Sequence, residues 1–178
     1  MEKSSSVVKG DQSSENLPRG VCRYANEYLN AAVVLQRYMP HKISGIARQP
    51  AMLCVGQAIE LALKSTLLVA GHKQAILRKK PFGHNLNELF NEALVQSFDD
   101  CSPLSEDERI ALSMLSTEYV GRYLQYINPG PLEVPPFDML VSIATTLVKL
   151  ASTKTGWRFE FPTALPLPPT LYKTDSPD

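Results

Sequence analysis

The sequence predicts an all-α fold, an up-and-down bundle of about five helices followed by an extended Pro-rich C-terminal tail. Three observations carry this. Apolar residues recur at steps of three and four in five separate stretches, prolines and glycines fall between those stretches, and no stretch inside them alternates as a half-buried strand would. With 178 residues the chain is long enough for one domain with its own core. The expected division is a disordered leader over 1–17, a helical bundle over 18–155, and a tail over 156–178 that packs on the bundle or on a partner subunit.

In the leader, MEKSSSVVKGDQSSEN offers only Val7 and Val8 as an apolar pair, too little to offset the entropy of ordering. A first helix is expected from about Leu17 to Met39, where Val21, Tyr24, Tyr28, Ala32, Leu35 and Met39 share a stripe that Pro40 ends. The stretch from Pro40 to Pro50, with Gly45 inside it, reads as a loop. A second helix, Pro50 to Gly71, is apolar on nearly every face and so belongs at the centre of the bundle. Pro50 suits its first turn and Gly71 a left-handed C-terminal cap. A basic loop with Lys73, Arg78, Lys79 and Lys80 leads to Asn85, which is placed as an N-cap with Glu88 three residues on. That cap opens a third helix through about Phe98.

Asp99 to Pro103 is a turn. Ser105 and Glu108 form an S-x-x-E capping box for a fourth helix expected to reach Asn128, with Leu112, Leu115, Tyr119, Arg122, Tyr123 and Tyr126 on one face. NPGPLEVPP is too rich in proline for a helix, and a fifth helix follows from Phe137 to about Thr153. In the tail, Trp157, Phe159 and Phe161 alternate with polar residues, and Pro162, Pro166, Pro168 and Pro169 keep the chain extended. Pro166 to Pro169 also fits P-x-x-P, which leaves open a structural interaction protein acting through its Pro-rich tail.

Composition excludes several classes. The 18 basic residues cancel the 18 acidic ones, so any hold on a polyanion must come from a local patch. Three cysteines, Cys22, Cys54 and Cys101, without C-x-x-C spacing argue against a disulfide framework or a zinc site, and the three histidines lack the spacing of helical metal ligands. No cofactor and no metal are expected. Without a signal-like h-region, and with Glu60 and Lys64 at the centre of the most apolar helix, a cytoplasmic protein that does not enter the membrane is expected.

The candidate site starts from that helix. Gln57, Glu60 and Lys64 fall on one narrow stripe of it, and charges there must be paired or face an opening. A local Glu60–Lys64 pair at i, i+4 would account for them; a ligand-facing stripe would as well. Arg122 has Glu118 four residues before it as a local partner, but its tyrosine neighbours would also suit a base or a phosphate. His84 either orients the start of the third helix or takes part in a function.

The combination of GQAIELALKSTLLVAGH, FGHNLNELFNEAL and EYVGRYLQY resembles the HEPN superfamily (higher eukaryotes and prokaryotes nucleotide-binding) over about residues 20–128. The resemblance implies a bundle of four or five helices, a homodimer, and roles linked to nucleotides, RNA, toxin and antitoxin pairs or abortive infection. A partner protein such as a nucleotidyltransferase or an antitoxin is implied with it. Ribonucleases of that family carry R-x(4–6)-H late in the bundle, whereas here no histidine follows Arg122. Only Arg78 and His84, across Pro81, satisfy the spacing. The expectation is therefore a non-catalytic HEPN-like binding or accessory module with a groove of Gln57, Glu60, Lys64, His84, Tyr119 and Arg122. The alternative is a metal-independent ribonuclease using His84 with Arg78 or Arg122.

Overall fold

The structure, a computed structural model, describes residues 12–38, 48–98, 102–126 and 133–160. These form six helices, and no strand occurs among the described residues: α1 (Gln12–Tyr38), α2 (Arg48–Val69), α3 (Gln74–Leu77), α4 (Leu86–Ser97), α5 (Glu106–Val120) and α6 (Phe137–Thr155). The all-α bundle is as expected, with one short helix, α3, added inside the basic loop. The loop expected after Pro40, the first five residues of the NPGPLEVPP connector, Cys101 and the P-x-x-P segment lie outside the described residues.

The second helix is the axis, as its all-round apolarity requires. It packs against α1, α6, α4, α5 and α3, most extensively against α1. Ala51, Val55, Ala58, Ile59, Ala62, Leu63 and Leu67 are all buried, and they cover more of its circumference than a single stripe would. Small residues recur along it and along α1, where Ala25 and Ala32 are fully buried, so the two backbones can approach closely. The stretch Gln49–Val69 is long and apolar enough to cross a membrane, but most of it is buried inside the bundle. Its hydrophobicity is matched by protein neighbours.

Helix ends follow local chemistry. Gly71, at φ 97°, closes α2 in a Schellman arrangement: the His72 N–H donates to the Leu67 carbonyl and the Gly71 N–H to that of Leu68. Ser105 and Glu108 form the reciprocal capping box at α5, and Gly156, at φ 66°, ends α6.

Two boundaries differ from expectation. The first helix begins at Gln12 rather than Leu17 and carries Pro18 inside it. The Pro18 carbonyl accepts a hydrogen bond from the buried Ser65 hydroxyl of α2, which ties this early stretch to the core helix. The fourth expected helix stops at Val120, not Asn128. Gly121 is a poor helix former, and the same Schellman pattern appears there, with the Arg122 N–H donating to Tyr119 and the Tyr123 N–H to Glu118. Arg122 occupies the left-handed position at φ 59°, a conformation that disfavours a non-glycine residue by about 1–2 kcal/mol. The turn lets Leu124 reach the core, where it is buried. Tyr123 and Tyr126 consequently leave the face they share with Leu115 on a continuous helix, and both are exposed.

The start of the tail lies on its own bundle. Trp157 and Phe159 pack against the core, the Arg19 guanidinium lies 5.8 Å from the Trp157 ring, and the Glu160 N–H donates to Asn26 of α1 at 3.3 Å.

If α2 is the axis, truncating it must be felt across the whole bundle. Leu63→Ala is expected to lower stability by about 2–5 kcal/mol in urea denaturation. An effect below about 1 kcal/mol would place the centre of the core elsewhere.

Candidate functional site

The polar stripe of α2 comes together with the loop before α4 and with the last turn of α5. Glu60 is buried, with one carboxylate oxygen accepting from Lys64 Nζ at 2.5 Å and the other from the Tyr119 hydroxyl at 2.8 Å. That second oxygen also meets His84 Nδ1 at 3.0 Å. A buried carboxylate is tolerable only when paired and hydrogen-bonded, and three side chains from three parts of the chain do this here.

Each partner is placed by a separate local cause. Lys64 follows from the i, i+4 geometry of α2. The ring of Tyr119 lies on Gly56, where an added Cβ would come within 2.7 Å of Tyr119 Cδ2 and Cε2. Glycine at 56 therefore lets the ring settle against the α2 backbone, so that its hydroxyl reaches Glu60 one turn further along. His84 precedes the N-cap of α4, which is built from two helices. Asn85 accepts from the Glu88 N–H, while the buried Ser116 hydroxyl of α5 accepts from the N–H groups of Leu86 and Asn87 and donates to Asn85. This fastens the start of α4 to α5, and the His84 ring meets the Tyr119 ring edge-on at 6.1 Å.

A cavity of about 250 Å³ opens beside this cluster. Val21 of α1, Leu61 and Leu68 of α2 and Leu77 of α3 give it apolar walls, while Glu60, Lys64, Gln74, Arg78 and His84 supply the polar ones. Arg78 is exposed, and half of the His84 side chain is open to solvent against 5% for Glu60, so charge grades from a sealed carboxylate to an accessible cationic rim. Lys73, Lys79 and Lys80 are exposed on the same loop. That loop is braced at its other end by His72, which pairs with Glu92 of α4 at 3.2 Å and meets the Phe82 ring edge-on.

Burial, reinforced by the neighbouring Glu60 carboxylate and the hydrogen bond to it, pushes the Tyr119 phenol far above its usual range, so Tyr119 stays a proton donor to Glu60. Tyr28 of α1 and Cys54 of α2 are also among the groups acting on it. Desolvation likewise raises the Cys54 thiol, which keeps it from being a thiolate nucleophile. Among the described residues no three His, Cys, Asp or Glu side chains form a metal-ligand set.

The sequence-predicted residues divide accordingly. Glu60, Lys64, His84 and Tyr119 are brought together, and Arg78 lines the same cavity. Gln57 and Arg122 do not line it. Gln57 lies nearly a full turn before Glu60 on α2. Arg122 is carried outward by the left-handed turn after α5, and it forms no pair with Glu118. The expected six-residue groove is thus a cluster of four with Arg78 added. Reasoning from sequence missed Gly56 and Ser116; a glycine in the middle of a core helix was the available signal, since it weakens a helix unless something must come close.

No protein-family model, curated protein or solved structure matches the chain.

Two tests follow from this packing. Gly56→Ala, which favours an isolated helix, is expected to destabilise the protein by about 1–3 kcal/mol because the new methyl displaces the Tyr119 ring. A stabilised variant would refute the close approach. Above the ordinary tyrosine range, near pH 10, the unfolded chain gives up the Tyr119 proton while the folded one keeps it, so stability falls as pH rises further. Tyr119→Phe should flatten that part of the alkaline slope in urea titrations, and an unchanged slope would count against the shielded phenol.

Proposed function

We propose that the protein is a non-catalytic HEPN-like binding module whose cavity receives a nucleotide or the end of an RNA strand. The observation that carries this is the grading within one cavity: apolar walls from Val21, Leu61, Leu68 and Leu77 beside a buried hydrogen-bond acceptor, Glu60, and an accessible rim of Arg78 and His84. A nucleotide has the matching division, with a flat, weakly polar base that carries hydrogen-bond donors and a strongly anionic phosphate. The volume accommodates a base-sized group and leaves the phosphate at the rim, where Lys79 and Lys80 add positive charge. The resemblance of about residues 20–128 to HEPN sequences supports the same reading. It also implies an accessory role beside a partner such as a nucleotidyltransferase or an antitoxin.

One geometric fact favours a second reading, a metal-independent ribonuclease of the HEPN type. Glu60 holds His84 through Nδ1, which leaves the other ring nitrogen available to exchange a proton, and Arg78 shares the cavity.

Calorimetric titration with the four nucleoside monophosphates and with 5′-phosphorylated oligoribonucleotides tests the first reading. Binding is expected to weaken about tenfold in Arg78→Ala, the loss of one charge-assisted contact. Since Arg78 is exposed, this variant should melt as the wild type does. No binding of any of these probes at millimolar concentration sinks the proposal. RNA incubated with the protein in chelator separates the readings: cleavage abolished by His84→Ala establishes the ribonuclease, and intact RNA at high protein concentration removes it.

A further inference from the structure

The connection from α2 to α4 exposes an unusual set of side chains. From 69 to 81 every exposed position is cationic, aliphatic, glycine or proline, and none carries a hydroxyl, an amide, a carboxylate or an aromatic ring. Val69, at the end of α2, and Ile76, in α3, are 46% and 49% exposed. Lys73 stands between them in the chain, and Arg78, Lys79 and Lys80 follow. Between Glu60 and Glu88 the sequence holds five Lys or Arg and no Asp or Glu. Lys64 is paired with Glu60, and the other four form no ion pair among the described residues. In a chain whose charges cancel overall, this is where positive charge collects.

The surface is held in place from beneath. Leu77 is buried, His72 pairs with Glu92 of α4, and Phe82 packs against the core. The N–H groups of Gly71, His72, Ile76 and Lys79 donate to nearby carbonyls, and Pro81 has none to satisfy. Backbone donors satisfied in this way are not orphaned when water is displaced by an apolar medium. Val69, Lys73 and Ile76 lie outside the lining of the cavity, so this surface is separate from it.

Its composition selects the kind of partner. Protein and nucleic-acid interfaces hold their partner in register with hydroxyls, amides and aromatic rings, and this surface exposes none of them. A fluid layer of anionic headgroups over hydrocarbon has no register to hold. It calls for cations at headgroup depth and aliphatic groups just below, two signals that act together. We infer that the α2–α4 connection docks the protein on the surface of an anionic lipid bilayer, with Val69 and Ile76 entering the acyl boundary and Lys73, Lys79 and Lys80 lying among the headgroups. The docking is peripheral, no helix crosses the bilayer, and the inference does not depend on what the cavity binds.

Co-sedimentation of the full chain with vesicles tests it. The protein is expected to pellet with phosphatidylcholine vesicles containing about one-third phosphatidylserine, to stay in the supernatant with phosphatidylcholine alone, and to be released as salt is raised. Lys73→Ala should weaken binding about fivefold. Val69→Ser combined with Ile76→Ser should weaken it at least about tenfold, whereas Ile76→Trp, which supplies a stronger interfacial anchor, should tighten it. Circular dichroism checks that each variant keeps its helices, and the tryptophan variant remains decisive even if the double serine variant unfolds. Three results would each overturn the proposal: no pelleting with the anionic vesicles, equal pelleting with the neutral ones, or binding that falls in Lys73→Ala yet ignores both changes at Ile76. The last is the behaviour of a charge patch suited to RNA or to an acidic protein.

Discussion

One carboxylate governs the interior of this bundle. Glu60 lies on a helix that is apolar on nearly every other face, and an unpaired ion there would be untenable. Its neighbours must therefore be polar and correctly placed, and they come from three directions: Lys64 from its own helix, Tyr119 from α5 and His84 from the approach to α4. Satisfying the charge fixes the relative positions of α2, α4 and α5. The apolar contacts of α1 and α6 with α2 supply burial, but a hydrophobic surface alone tolerates sliding. Directional bonds to one buried group do not.

The same requirement explains several smaller features. Tyr119 can reach Glu60 only if its ring lies against the α2 backbone, which demands glycine at 56. His84 can reach it only if the first turn of α4 is fixed, and the hydroxyl of Ser116 provides this by capping that turn from the neighbouring helix. Polar atoms in the core thus serve registration, while the accessible side of the cluster, through His84 and Arg78, faces the cavity.

Much of this was legible in the sequence. The periodicity of α1, α2, α4 and α6, the N-caps at Asn85 and Ser105 and the left-handed Gly71 are local signals, set within a few residues, and they read directly. The Gln57, Glu60, Lys64 stripe also pointed to the right helix. What could not be read was non-local. The end of α5 depends on Leu124 finding the core through a turn, so a pattern of tyrosines at helical spacing suggested eight further residues of helix. Arg122 was placed in the site on that assumption and leaves it for the same reason. Conversely, Tyr119, 59 residues from Glu60, was expected in the same groove but not as the donor to its carboxylate, and nothing announced the cap donated by Ser116.

The cap shared between helices has a consequence for how the molecule opens. Because Ser116 completes the first turn of α4, any fluctuation that lifts α5 away uncaps α4, unseats His84 and strips Glu60 of its phenol in a single event. Of the buried carboxylate's three side-chain partners Lys64 alone stays with it in such an opening, so lifting α5 carries the cost of an under-paired ion in the core. The start of α4 and the last turn of α5 are thereby bound into one opening, although no backbone ladder joins them.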